Sequence, residues 1–179
     1  MNEAMVLNWN SIVKPEDTVY CLGDFSLAFR PVETFSVRLM GKKHLVPGNH
    51  DFCHSYHKKG RNLENRQKWI QKYEEYGWTV LPEQTTLDLE GIGTVNLCHH
   101  PYSDDNSHGE SGYQDKYAKW RPVDDGKVLL CGHIHEKWKT KLSSKGTLMI
   151  NVGVDVHGFS PISVEEIKRL IDENNNKIK

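Results

Sequence analysis

The chain has 179 residues, a length that suits a single globular domain spanning 1–179. Hydrophobic residues make up 37% of it and charged residues 26%, which excludes a disordered chain and a membrane-embedded one. A formal net charge of −1 argues against a protein that binds nucleic acid mainly through a broad basic surface.

The first residues contain no basic region followed by an apolar stretch, so they do not predict a secretory signal. No apolar run reaches the roughly 20 residues of a membrane span, and we expect no membrane partner. The four cysteines, Cys21, Cys53, Cys98 and Cys131, show no CxxC pairing, so a disulfide framework is not expected. We therefore predict a cytoplasmic protein.

The first part of the chain alternates helices with short strands. Apolar residues at helical spacing predict a helix over 3–13, which ends before Pro15. A buried strand over 18–22 follows, then a helix over 31–39 and a second strand over 43–46. Each strand runs directly into a glycine-containing turn, which gives the backbone the freedom to present the next side chain inward.

The second part is richer in strands. A polar helix is predicted over 62–76, and residues 103–115 read as a loop. The last helix begins at Ser163, which forms a capping box with Glu166, and its polar end after Glu173 is expected to fray. Strands are predicted at 79–81, 85–89, 94–98, 127–131 and 147–151.

Four short polar motifs follow the carboxyl ends of predicted strands, where α/β proteins assemble their sites. They are Gly23-Asp24, Gly48-Asn49-His50-Asp51, His99-His100-Pro101 and Gly132-His133-Ile134-His135. Their carboxylate, amide oxygen and imidazoles form a donor set that suits Mn, Fe, Zn or Ni. If the last motif is extended, His133 and His135 point to the same side. Each motif is weak alone, but four in this order indicate a metal site.

This series resembles the calcineurin-like metallophosphoesterase superfamily, whose pattern is DxH, GD, GNHD or GNHE, a histidine, and GHxH. The match covers 23–135, and the text around Gly23 is similar to small bacterial and phage members. The resemblance implies an α/β fold in which two mixed sheets form a β-sandwich flanked by helices (αββα). It also implies a phosphodiesterase or phosphomonoesterase that uses a metal-activated water. Its substrates would be phosphate esters, with nucleotides and nucleic acids among them.

The resemblance also implies a role for each motif residue. Asp24 would bridge two metal ions, and His135 would belong to the first of them. His50 corresponds to the acid/base histidine of the family, and Asp51 would orient its loop. Mn²⁺ is the expected ion, with Fe, Zn and Ni as alternatives. The residues carried over as metal ligands are Asp24, Asn49, His99, His133 and His135.

The second histidine of the His-His-Pro motif receives a different interpretation. His100 stands where the family often has an aromatic residue. We therefore expect it to line the cleft rather than to bind metal.

The chain departs from the pattern because no DxH precedes Gly23. The first central strand is therefore expected to be missing, and the first ion keeps only Asp24 and His135 while the second site is complete. Either the chain starts at an internal methionine of a longer reading frame, or it is a natural short form. In the second case the alternative function is a catalytically impaired metal-binding or interaction module. A missing strand would also expose a sheet edge through which a second copy could pair.

Overall fold

The computed structural model of the chain describes residues 2–103 and 115–178. Most of the predicted loop over 103–115 therefore lies outside the described residues. The helices within them are α1 (Asn2–Ile12), α2 (Phe29–Phe35), α3 (Leu63–Glu75) and α4 (Val164–Ile178). The strands are β1 (Thr18–Cys21), β2 (Lys42–Leu45), β3 (Trp78–Val80), β4 (Gln84–Leu89), β5 (Gly93–Cys98), β6 (Leu129–Cys131), β7 (Thr140–Leu142) and β8 (Leu148–Asn151).

Two of the predicted helix boundaries are wrong. The helix expected over 31–39 is α2, which ends at Phe35 and continues only as the 3₁₀ turn Ser36–Arg38. The last helix does not fray after Glu173 but runs to Ile178. Arg169 pairs with Glu166 one turn before it and with Glu173 one turn after it, which supports the helix at the point where fraying was expected.

The strands form two sheets. The smaller sheet is parallel and has the order β1-β2-β3, and the larger has the order β4-β5-β6-β8-β7. In the larger sheet β5, β6 and β8 are parallel, while β4 and β7 pair antiparallel at its two edges. The predicted α/β class with two sheets is confirmed.

The main core lies between the two sheets. Because side chains alternate along a strand, Leu130 of β6 faces this core while Leu129 and Cys131 face the opposite side. Ile167 and Leu170 of α4 pack against the same inter-sheet cluster. The smaller sheet has a second cluster on its other face, which α2 and α3 cover.

A cleft of about 690 Å³ lies beside β1. Its walls include Trp9 of α1, Val19 of β1 and Leu97 of the larger sheet, and it reaches Asp24 and His133 at one end. Among the described residues β1 has a hydrogen-bonded neighbour on one side only, which is β2, so it forms an edge of its sheet as expected.

All four cysteines are free thiols, in agreement with the prediction that no disulfide framework exists. Within the described part of the chain, no helix combines the length and the apolar character that a membrane crossing requires.

Replacement of Leu97 by alanine tests the inter-sheet core. Leu97 is 1% exposed, so Leu97→Ala should lower the free energy of unfolding by about 2–5 kcal/mol through lost burial and a residual cavity. Urea unfolding followed by circular dichroism measures the change. Leu63→Ala is the control, because Leu63 is 75% exposed at the start of α3. Similar losses in the two variants would contradict the core assignment.

Candidate metal centre

The sheet topology brings the four polar motifs to one place. Asp24 follows β1 and Asn49 follows β2, while His99 follows β5 and His133 follows β6. Strands β1 and β2 are parallel neighbours in one sheet, and β5 and β6 are parallel neighbours in the other. Their carboxyl ends therefore lie at the same end of each pair, as is usual for sites in α/β folds.

His99 is the centre of the arrangement. Its Nδ1 lies 2.8 Å from the carbonyl oxygen of Leu22, and because a carbonyl only accepts, Nδ1 carries the proton. In the neutral ring Nε2 therefore holds a lone pair. That nitrogen lies 3.2 Å from Asp24 Oδ2 and 3.2 Å from His133 Nδ1. Such electron-rich atoms are stable at these distances only when a proton or a metal cation lies between them.

The pKa values of His99 and Asp24 reflect the contact between these two side chains. Burial acts to lower the pKa of His99, but the hydrogen bond and the negative charge of Asp24 outweigh it and raise that pKa above its usual value. Burial likewise opposes ionisation of Asp24, yet the hydrogen bond and charge of His99 bring the pKa of Asp24 down to about 2. The carboxylate is thus negative at neutral pH and attracts whichever cation binds there.

Asn49 supplies a further donor. Its side chain is only 3% exposed, and its Oδ1 has no hydrogen-bond partner among the described residues. A buried amide oxygen without a partner is costly, so it indicates a ligand. Carboxylate, amide oxygen and imidazole together fit a divalent ion such as Mn, Fe, Zn or Ni.

Asp51 joins the two loops that carry Asp24 and Asn49. Its Oδ2 accepts hydrogen bonds from the backbone N–H of Gly48 at 2.8 Å and of Asp24 at 2.7 Å. Tyr73 donates to its Oδ1 at 3.3 Å. Burial and the nearby charge of Asp24 raise the pKa of Asp51 to about 7, against the effect of these hydrogen bonds. The carboxylate of Asp51 therefore ties the loop that carries Asp24 to the loop that carries Asn49.

Gly48 is required by the close approach of these loops. A Cβ atom at this position would lie 2.4 Å from Asp24 Oδ1 and 2.8 Å from His99 Nδ1. Because any larger residue would displace the carboxylate or the imidazole, the backbone itself forms one wall of the centre.

His50 lies at the exposed side of the same loop. Its backbone N–H donates to Asp24 Oδ1 at 2.8 Å, which leaves the imidazole exposed to solvent. Its backbone therefore helps to hold the carboxylate, while its side chain stays exposed beside the centre.

The extended backbone expected for the last motif is wrong. His133 and His135 have φ of 69° and 49°, so the chain turns in the left-handed region after β6. Fully buried Ile134 anchors this turn. His133 contacts His99, whereas the side chain of His135 is 71% exposed and its Nδ1 lies 3.4 Å from Asp155 Oδ2. His135 thus lies on the exposed side of the cleft that Asp24, His99 and His133 also line.

Sequence reasoning missed several neighbours of the centre. Glu83 accepts from the backbone N–H of Ser55 at 2.6 Å and lies 3.7 Å from buried His54, so it supports the loop after Asp51. Nothing in the local sequence marks Glu83 or Asp155 as part of the site. The sequence predicts that His100 lines the cleft. In the structure its ring lies directly against the rings of His99 and His133.

The sequence is similar to a known family and to several known proteins. A model of the calcineurin-like phosphoesterase superfamily domain matches residues 2–158. The chain is 29% identical to the Gene 66 protein of Mycobacterium phage L5 over 92% of this chain and 77% of that protein. It is 25% identical to the uncharacterized protein MJ1445 of Methanocaldococcus jannaschii over 97% of this chain and 76% of that protein.

The fold also has a counterpart among solved structures. A crystal structure of AQ665 from Aquifex aeolicus, a protein of unknown function, aligns with a TM-score of 0.60. The two chains share 23% sequence identity, and the alignment covers 94% of this chain and 84% of the other. At this identity the likeness shows a common fold.

Asp51→Ala and Asp51→Asn separate the orienting role of this residue from simple burial. Alanine leaves the N–H groups of Gly48 and Asp24 without an acceptor, at a cost of about 1–3 kcal/mol for each group. The asparagine oxygen can still accept both hydrogen bonds. We expect Asp51→Ala to be the less stable variant by about 2 kcal/mol or more in urea unfolding with a chelator present. Equal stability of the two variants would contradict this account.

Proposed function

The chain belongs to the calcineurin-like phosphoesterase superfamily, and we propose that it hydrolyses phosphate esters with the help of a bound divalent metal ion. The proposed ligands are Asp24, Asn49, His99 and His133. The observation that carries the proposal is the contact of His99 Nε2 with Asp24 Oδ2 and His133 Nδ1, each at 3.2 Å. The unpartnered Oδ1 of Asn49 adds an oxygen donor.

The chain's own residues account for much of the chemistry. A bound divalent ion supplies Lewis acidity, which activates water and offsets charge on the phosphoryl group. Asp24 stays ionised at neutral pH and provides the charge that holds the cation. The Leu22 carbonyl holds His99 in the tautomer that points a lone pair into the centre. His50 is exposed beside the centre and can give a proton to the leaving alkoxide.

A second metal ion would bind at His135. His135 Nδ1 lies 3.4 Å from Asp155 Oδ2, and both side chains are well exposed. We propose that the site containing His99 and His133 binds first and that the site at His135 is the weaker one. Metal binding without turnover would instead favour the catalytically impaired binding module.

We propose that the substrates are phosphate esters, which is the substrate class of the superfamily. Nucleotides and nucleic acids are the predicted members of this class.

The open side of β1 supports one further prediction about partners. An edge strand presents unpaired backbone groups that can pair with another chain. We propose that a second copy pairs there, and light scattering on the purified protein would show a dimer. A monomer at all concentrations would contradict the pairing.

Removal of proposed ligands tests the function directly. Asn49→Ala and His133→Ala should abolish hydrolysis of bis(p-nitrophenyl) phosphate in the presence of Mn²⁺, since each removes a donor from the ion that activates water. The release of p-nitrophenol measures turnover. Lys68→Ala is the control, because Lys68 is exposed on α3 and pairs with Glu64 of the same helix. Full activity in either ligand variant would show that the site is assigned wrongly.

His50→Ala tests the proton donor. A general acid typically contributes about 10²–10⁴-fold in rate, and most where the leaving group is a poor one. We expect a loss of about 10²-fold or more with an alkyl phosphate ester and a much smaller loss with a p-nitrophenyl ester, which needs little protonation. Equal losses with both esters would assign His50 a binding role instead.

A further inference from the structure

His100 has the environment of a metal ligand and not that of a wall residue. Its side chain is fully buried, and neither ring nitrogen has a hydrogen-bond partner among the described residues. Buried polar groups are nearly always paired, because an unpaired one loses its hydration without compensation. An imidazole with two such nitrogens therefore needs an explanation.

The neighbouring rings suggest what that explanation is. The ring centroid of His100 lies 4.9 Å from that of His99 and 4.5 Å from that of His133. One ring nitrogen from each of the three residues can be chosen so that all lie within 4.8 Å of one another. In a tetrahedral zinc site with bonds of about 2.1 Å, the ligand nitrogens are about 3.4 Å apart. The nitrogens of the trio are therefore adjacent but must move closer by up to about 1.4 Å to hold one ion.

Packing alone does not account for this residue. The ring also lies against Tyr117, at a centroid distance of 5.1 Å, so its surroundings include another aromatic ring. A phenylalanine would fill such a position without burying polar nitrogens. The histidine thus carries a cost in the metal-free protein that binding of a cation would offset.

We infer that His100 is an additional ligand of the proposed metal ion, and that three imidazoles shift the preference of this site from Mn²⁺ towards Zn²⁺. The inference rests on the proposed function, because it adds a donor to the same site. Imidazole ligands suit zinc, whereas Mn²⁺ prefers carboxylate, carbonyl and water oxygens. The ligand set would then be Asp24, Asn49, His99, His100 and His133.

The test compares metal affinity in the wild type and in His100→Phe, which keeps an aromatic ring of similar size. Isothermal titration with Zn²⁺ and with Mn²⁺ should show a Zn²⁺ affinity at least about tenfold weaker in the variant, since even residues that only support a ligand are worth 10–100-fold. The Mn²⁺ affinity should change less. The visible spectrum of bound Co²⁺, which reports the number and type of ligands, should also change.

His44→Phe is the matched control. His44 also has a buried ring nitrogen without a partner, but it lies on β2 and stacks on Tyr20 outside the trio. We expect wild-type metal affinities and an unchanged Co²⁺ spectrum for this variant. The metal-free His100→Phe protein should melt at a temperature no lower than the wild type, because it loses only unpaired polar atoms.

The possible outcomes separate the two proposals. A wild type that binds no divalent ion would overturn the proposed metal site. Wild-type binding with the same affinities and Co²⁺ spectrum in His100→Phe would overturn only the role of His100. If the variant does not fold, the ring ¹⁵N signals of the wild type decide. A shift of one His100 nitrogen on addition of Zn²⁺ supports coordination, and its absence excludes it.

Discussion

The contact of His99 with Asp24 and His133 is the constraint on which the rest of the site depends. It joins the end of the smaller sheet, through Asp24 and the Leu22 carbonyl, to the end of the larger sheet, through His133. Because His99 Nδ1 donates to a carbonyl, the neutral ring turns the lone pair of Nε2 towards the other two groups. The two sheets therefore meet where several electron-pair donors face one another, and a proton or a bound cation stabilises that contact.

Asp51 fixes the relative positions of the two loops that surround this contact. A single carboxylate oxygen accepts from Gly48 and from Asp24, so the loops after β1 and β2 cannot move independently. The same carboxylate is buried and close to Asp24, which is why its pKa is raised to about 7. The site thus holds two acidic groups in different roles, one that faces the cation and one that holds the backbone. Their different surroundings, and not their chemical type, separate these roles.

Much of this could be predicted from the sequence, since glycine-containing turns after apolar strands indicate both the topology and the location of the site. Asp24 follows a parallel strand of the smaller sheet, while His99 and His133 follow parallel strands of the larger one, and the motifs at these strand ends could be identified from the pattern. The backbone of the last motif could not be predicted, because it turns left-handed at His133 and His135 where an extended strand end is the simpler expectation. The length of α4 was missed for another reason: its end is supported by ion pairs of Arg169, which hydrophobic periodicity does not show.

The surroundings of the His100 side chain could not be predicted from the motif in which it lies. The resemblance places His100 where the family often has an aromatic residue, so the sequence predicts that it lines the cleft and does not bind metal. The chain bends at this point, and both rings lie against His133. Buried polar atoms without partners among the described residues, here Asn49 Oδ1 and both nitrogens of His100, destabilise the metal-free fold. A ligand that binds only the folded state recovers that loss, so metal affinity and folding stability are coupled through the same atoms.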